Sequence, residues 1–177
     1  NRLKAEAESI RKWEAWDLCS EATFKIASLN CAGLRSHIED INGDDKLLKG
    51  DCLLFQETSL NNGESFNIQR YRERFYTSFG KGKGVASYSK KISKDIASKS
   101  EITVQAMKTS FDKVDVINVY RSADGSRRTL IESLRQLIEK ERTTVIAGDF
   151  NICGMIEKHD IVLTTAIGAS NRNNRSS

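Results

Sequence analysis

A β-branched and apolar run, Thr143-Thr144-Val145-Ile146-Ala147, stops on Gly148-Asp149-Phe150-Asn151. Thr144 to Ala147 has the composition of a buried strand. Strand side chains alternate between faces, so Asp149 and Asn151 are predicted to share a side. A core strand thus delivers a carboxylate and an amide to a sheet edge. That pair can ligate a hard divalent cation and hold the water or phosphate beside it.

Three other apolar strands end in the same way. Asn30 closes Ile26-Ala27-Ser28-Leu29, Glu57 closes Leu53-Leu54-Phe55-Gln56, and Tyr120-Arg121 closes Val116-Ile117-Asn118-Val119. If the sheets align these ends, Asn30, Glu57, Asp149 and Asn151 converge on one rim. Oxygen donors with few carboxylates suit magnesium, which keeps several waters and takes substrate phosphate as well. Each residue alone is as well explained as a turn former. Four such endings, all after apolar strands, weaken that explanation for the set.

The remaining elements follow from periodicity and punctuation. Strands are predicted over 24–31, 51–60, 85–88, 102–109, 112–121 and 143–151, with a hairpin turning near Ser110–Phe111. Helices are predicted over 36–48 and 127–142, the second with Leu130, Leu134, Leu137 and Ile138 on one stripe. Residues 61–65 form a polar loop. Strands dominate, with helices between them, so an α+β layered fold is expected. Three segments are predicted: 1–21 as a helix or linker, 22–153 as the folded domain, and 154–177 as a divergent, partly disordered tail.

A length of 177 residues, 38% apolar, allows one domain with a real core. No apolar run approaches the roughly 20 residues needed to span a bilayer. Residues 1–21 are charged and lack a signal core, which predicts an intracellular protein, nuclear or cytoplasmic, and not a secreted one. The first residue is Asn1, which reads as a fragment, a processed form or an incomplete gene product. Cys19, Cys31, Cys52 and Cys153 are scattered without a Cys-x-x-Cys pair, against a zinc knuckle or a disulfide framework.

The net charge of +4 and pI near 8.9 favour a polyanionic partner. Arg70, Arg72, Arg74, Lys81, Lys83, Lys90, Lys91 and Lys94 are interleaved with Tyr71, Phe75, Tyr76, Phe79 and Tyr88. That pattern suits phosphate contact with base stacking. It equally suits a solvated face over ordinary strand aromatics, and the sequence leaves both open.

Taken in order, Ser28-Leu29-Asn30, Gln56-Glu57-Thr58, Gly82-Lys83-Gly84-Val85-Ala86-Ser87-Tyr88, Asn118-Val119-Tyr120-Arg121 and Gly148-Asp149-Phe150-Asn151 resemble the endonuclease/exonuclease/phosphatase superfamily, most of all the endonuclease domains of retroelements. Each motif is weakly specific and the ordered set, spanning about residues 24–151, is strong. The resemblance implies a four-layer α/β/β/α sandwich that hydrolyses DNA phosphodiesters with Mg2+, Mn2+ being the alternative ion. It implies Glu57 as direct metal ligand with Asn30 beside it, and Tyr120 at the scissile phosphate. Arg121 and Lys83 would lend charge to the nucleic acid. Asp149 would activate the attacking water, and Asn151 would bind phosphate.

The sequence departs from that family at its end. Members carry a later Ser-Asp-His segment, and neither His37 nor His159 stands in that context. With 26 residues after Asn151, the domain is expected to be truncated and poorly active. Two alternatives remain: a non-catalytic nucleic-acid-binding relic of the fold, and a phosphatase-type hydrolase of the same superfamily. The sequence assigns no oligomeric state.

Overall fold

The computed structural model describes residues 23–78 and 80–151. The helix or linker predicted over 1–21, the tail 154–177, His159 and Phe79 lie outside the described residues. The order of elements is β1 (Ile26–Asn30), α1 (Leu34–Gly43), a short 3-10 turn (Leu47–Lys49), β2 (Cys52–Gln56), β3 (Glu73–Tyr76), β4 (Val85–Ser89), β5 (Asp95–Ser100), β6 (Val104–Ser110), β7 (Val114–Arg121), α2 (Arg127–Leu137) and β8 (Thr143–Asp149). They form two four-stranded mixed sheets, ordered β1-β2-β4-β3 and β5-β6-β7-β8.

β2 shows why the chain stacks in layers. All five of its residues are buried, so both faces of the sheet are covered and the strand reads as an uninterrupted apolar run. Leu53 and Phe55 face outward with Leu34 and Ile41 of α1. Cys52 and Leu54 face inward, against Val114, Val116 and Val145 of the second sheet. On that sheet's outer face, Ala106, Ile117 and Val119 pack with Leu130 and Leu137 of α2. The result is the expected α/β/β/α order.

The inward-facing positions are graded from one end of the sandwich to the other. Beyond the apolar cluster lies a polar belt. Buried Asn118 donates to the Ala86 carbonyl at 2.9 Å and the Phe55 carbonyl at 3.2 Å, and accepts from Gln56 Nε2 at 2.7 Å. Gln56 also meets Ser28 Oγ at 3.1 Å. A buried polar group without partners is costly. This one is carried by the second sheet and bonds to two strands of the first, and so fixes their relative position.

Several predicted boundaries shift. The second strand ends at Gln56 rather than Leu60, because Glu57 takes a left-handed backbone (φ 53) that no ladder accommodates. The first helix begins at Leu34 and stops at Gly43. The second stops at Leu137: Ile138 is extended and 39% exposed, off the predicted stripe. From there Lys108 holds Glu139 at 2.5 Å and Asp115 holds Arg142 at 2.9 Å, which turns the chain into β8. β3 and β5 were not expected. Their residues, Glu-Arg-Phe-Tyr and Asp-Ile-Ala-Ser-Lys-Ser, carry the charge typical of edge strands.

Two of the aromatic residues of 71–88, Tyr71 and Tyr88, take the structural reading. Tyr71 and Tyr88 are buried beside Phe55, and Tyr76 stacks edge-on against Tyr88 at 5.8 Å. Phe75 packs against Val85, Met107 and Tyr120. Tyr71 and Tyr88 are thus closed to bases, while Phe75 and Tyr76 are half-buried.

Candidate active site

Parallel pairing of β1 with β2 and of β7 with β8 puts four strand ends at one end of the sandwich. Tyr120 pairs with Asp149 in register, and Asn30 with Gln56, the residue before Glu57. The inward parity that places Asn118 in the belt carries Tyr120 to the rim two residues later.

The predicted residues do meet there. Asn30 Nδ2 donates to Asp149 Oδ2 at 2.7 Å across the two sheets. Asn151 donates through its backbone N–H to Asp149 Oδ1 at 3.0 Å and lies 3.4 Å from Oδ2 through Nδ2. Three donors therefore fix the carboxylate, and its face is set by both sheets. The Asn30 amide oxygen accepts from the Ala32 N–H at 3.1 Å. The geometry thus gives Asn30 a positioning role.

Tyr120 sits at the centre. Its hydroxyl donates to the Gly82 carbonyl at 3.2 Å. Burial raises its pKa above the ordinary 10.0, and the Glu57 carboxylate, close enough to hydrogen-bond it, pushes the same way, as does Asp149. The phenol therefore stays a donor throughout the neutral range.

Arg121 and Lys83 part company. Arg121 is buried, and its guanidinium is spent on main-chain carbonyls: Nε to Phe150 at 2.7 Å, Nη2 to Asn151 at 2.5 Å, and Nη1 to Gly125. The Asn151 side chain returns a bond to the Arg121 carbonyl at 2.8 Å. Arg121 thus clamps the segment that carries Asp149 and Asn151 instead of facing solvent with a free charge. Lys83, by contrast, projects at the rim near Asp124, whose carboxyl is held below its usual value first by Ser122 and more weakly by Lys83. Its loop is tied down by Ser59 N–H to the Lys83 carbonyl at 2.8 Å and by Gly82 N–H to Ser59 Oγ at 2.9 Å.

Two features were not singled out from the sequence. Gly148 (φ 145) lies so close to β7 that a Cβ there would stand 1.9 Å from the Val119 carbonyl oxygen; only glycine lets β8 run to Asp149 in register. Strained backbone also gathers at this end. Ala32, Glu57, Ser59 and Asn151 all have positive φ without being glycine. Such conformations cost of order 1–3 kcal/mol each and concentrate at active sites. Glycine before a strand-terminal carboxylate was the signal available for Gly148; strain has no sequence signature outside glycine and asparagine.

No protein-family model matches the sequence, and no curated protein is significantly similar to it in sequence. Solved structures do share the fold. One is an AP endonuclease from Archaeoglobus fulgidus, with 22% identity and a TM-score of 0.60 over 73% of this chain and 58% of that one. Another is the 3' phosphatase NExo from Neisseria bound to a product DNA hairpin, at 21% identity and TM-score 0.53 over 73% and 58%. The 3'-5' exonuclease NExo from Neisseria meningitidis matches at 22% identity and TM-score 0.53 over 72% and 58%. The match thus spans 58% of the length of each. The sandwich is of the AP-endonuclease type.

Proposed function

We propose that this domain hydrolyses phosphodiesters in DNA. The observation that carries the reading is the rim itself: Asp149, oriented from both sheets by Asn30 and Asn151, beside Tyr120 and Glu57. The fold shared with DNA-processing enzymes supports it, and the ordered motifs that resemble retroelement endonucleases favour a mobile-element origin.

The donor set fits a magnesium ion. Glu57 and Asp149 offer hard oxygen, and among the described residues no group of three His, Cys, Asp or Glu could hold a metal alone. An ion taking one or two carboxylates, waters and substrate phosphate matches that sparseness. Glu57 would hold it, with Asn30 adjacent, and it would supply charge to the phosphoryl oxygens. Manganese would serve in the same place.

The chain's own groups supply the rest. Asp149 takes the proton of the attacking water, and the fixed carboxylate needs no reorganisation to do so. Tyr120, held protonated, donates to a phosphate oxygen. Lys83 lends positive charge to the phosphate, while Asn151, its amide nitrogen held by the Arg121 carbonyl and Asp149, shapes the phosphate side of the rim. The leaving oxygen takes its proton from solvent. Partner and compartment follow from this reading: DNA, in the nucleus or cytoplasm. No helix among the described residues is long and apolar enough to cross a membrane.

Supercoiled plasmid with Mg2+ tests the proposal. Nicking that disappears on EDTA treatment and in Asp149→Ala supports it. Binding without nicking, in Mg2+ and in Mn2+, would favour the non-catalytic relic. Release of phosphate from an inositol phosphate in preference to plasmid cleavage would favour the phosphatase.

A further inference from the structure

Among the described residues, a fifth non-glycine residue has a left-handed backbone, and it lies at the other end of the molecule. Arg70 (φ 72) is the third residue of a turn closed by the Tyr71 N–H on the Ile68 carbonyl at 3.2 Å. Turns with positive φ at that position favour glycine or asparagine. An arginine there is strained, and strain of this kind persists where something requires it.

What surrounds Arg70 is a gathering of cations. Lys90 reaches the Leu48 carbonyl at 2.5 Å and lies 5.2 Å from the centre of the Tyr71 ring. Burial lowers its pKa, and Arg70 and Lys25 push it further down against the pull of Asp51. Lys91 pairs with the same Asp51 at 3.7 Å. The Asp51 carboxylate also accepts the Lys25 backbone N–H at 2.8 Å. Lys90 and Lys91 thus share one carboxylate, with Arg70 and Lys25 near enough to Lys90 to repel it, a mutual repulsion that a polyanion would relieve.

We propose that this cluster is a second contact for nucleic-acid phosphates, holding a segment that lies outside the catalytic cleft. Being deeper than the function proposed above, it rests on DNA as the substrate class. Six residue steps along β2 lead from Asp51 to Glu57, which puts the two sites about 20 Å apart at strand rise. A duplex rises about 3.4 Å per base pair, so one of fewer than about six base pairs seated at the rim does not reach that far, whereas a long one does. With Tyr71 and Tyr88 buried, the contact offers cations and no stacking faces, so it reads backbone and not sequence.

The test is duplex binding by fluorescence anisotropy in magnesium-free buffer over a salt series, with a short hairpin duplex of about 5 base pairs and a long duplex of about 60. Each lost phosphate contact lowers the salt slope by about 0.9. Arg70→Gln with Lys91→Gln, both at exposed positions, should lower the slope for the long duplex by nearly 2, weaken its binding at least fivefold, and leave the short duplex unchanged. Arg70→Gly should weaken long-duplex binding while raising the melting temperature, a pairing that a merely structural arginine would not give. Equal slopes for wild type and variants on the long duplex would overturn the proposal. So would variants that lose binding to phosphatidylserine vesicles but keep it to DNA. Because binding is read without cleavage, an inactive rim sinks the catalytic reading and leaves this result legible.

Discussion

Replacing Asn118 by alanine removes the centre of the belt that joins the two sheets. The side chain makes three short bonds, to Gln56 Nε2 at 2.7 Å, the Ala86 carbonyl at 2.9 Å and the Phe55 carbonyl at 3.2 Å, all buried. At about 1 kcal/mol net for each, and with groups left unsatisfied, the loss is about 3–4 kcal/mol. Against a typical total of about 5–15 kcal/mol that is a large share. The melting temperature should fall by roughly 10 °C. Urea unfolding followed by far-UV circular dichroism measures the loss directly, with m expected to be unchanged. Gln56→Ala alone and the double variant complete a cycle, for which a coupling of about 1–2 kcal/mol is expected. A loss below about 1 kcal/mol for Asn118→Ala, or strict additivity in the cycle, would refute the claim that this belt aligns the sheets. Cleavage should fall as well, since Glu57 and Tyr120 are each one or two residues beyond belt residues.

Gly148→Ala would drive a methyl into the Val119 carbonyl. Parting β7 from β8 at that point should cost about 3–5 kcal/mol, and a thermal melt within a degree or two of wild type would sink this account. Arg121→Lys keeps the charge but not the fork. It should lose about 2 kcal/mol of stability by denaturant melt and at least tenfold in cleavage, and a fully active lysine variant would show that charge alone suffices. The Lys108 bond holds the Glu139 carboxyl below its ordinary 4.5, so its stabilising effect is complete above that value and is lost as pH falls through the folded-state value. Melts of wild type and Glu139→Gln should therefore differ at pH 6 and converge as the pH is taken well below 4.5, and a constant offset between the two would contradict the pairing.

The rim was legible in the sequence because its residues are coupled to strand ends that apolar runs announce. Asp149 after Val145-Ile146-Ala147 is the plainest case. Arg121 was misjudged for a physical reason: a strand-terminal arginine looks identical in sequence whether its guanidinium meets solvent or, as here, the carbonyls of Gly125, Phe150 and Asn151. Asn118 stood within a quoted motif, yet its task is to bond across the sandwich, and the pairing of sheets is not a local property. The same holds for the stretch 70–94, where strand parity sends tyrosines inward and cations to two different ends. β3 and β5 escaped notice because short, charged edge strands show no apolar alternation.

The left-handed residues at the rim have a consequence for how this protein would respond to selection. Ala32 and Ser59 hold conformations that glycine adopts freely. A screen for thermal stability alone should therefore enrich glycine at both positions, gaining up to about 1 kcal/mol at each. Those gains would loosen the backbone just where Asn30 and Glu57 must be held still. Stabilised variants of this domain would tend to be slower ones, and the sites of the trade-off can be named in advance.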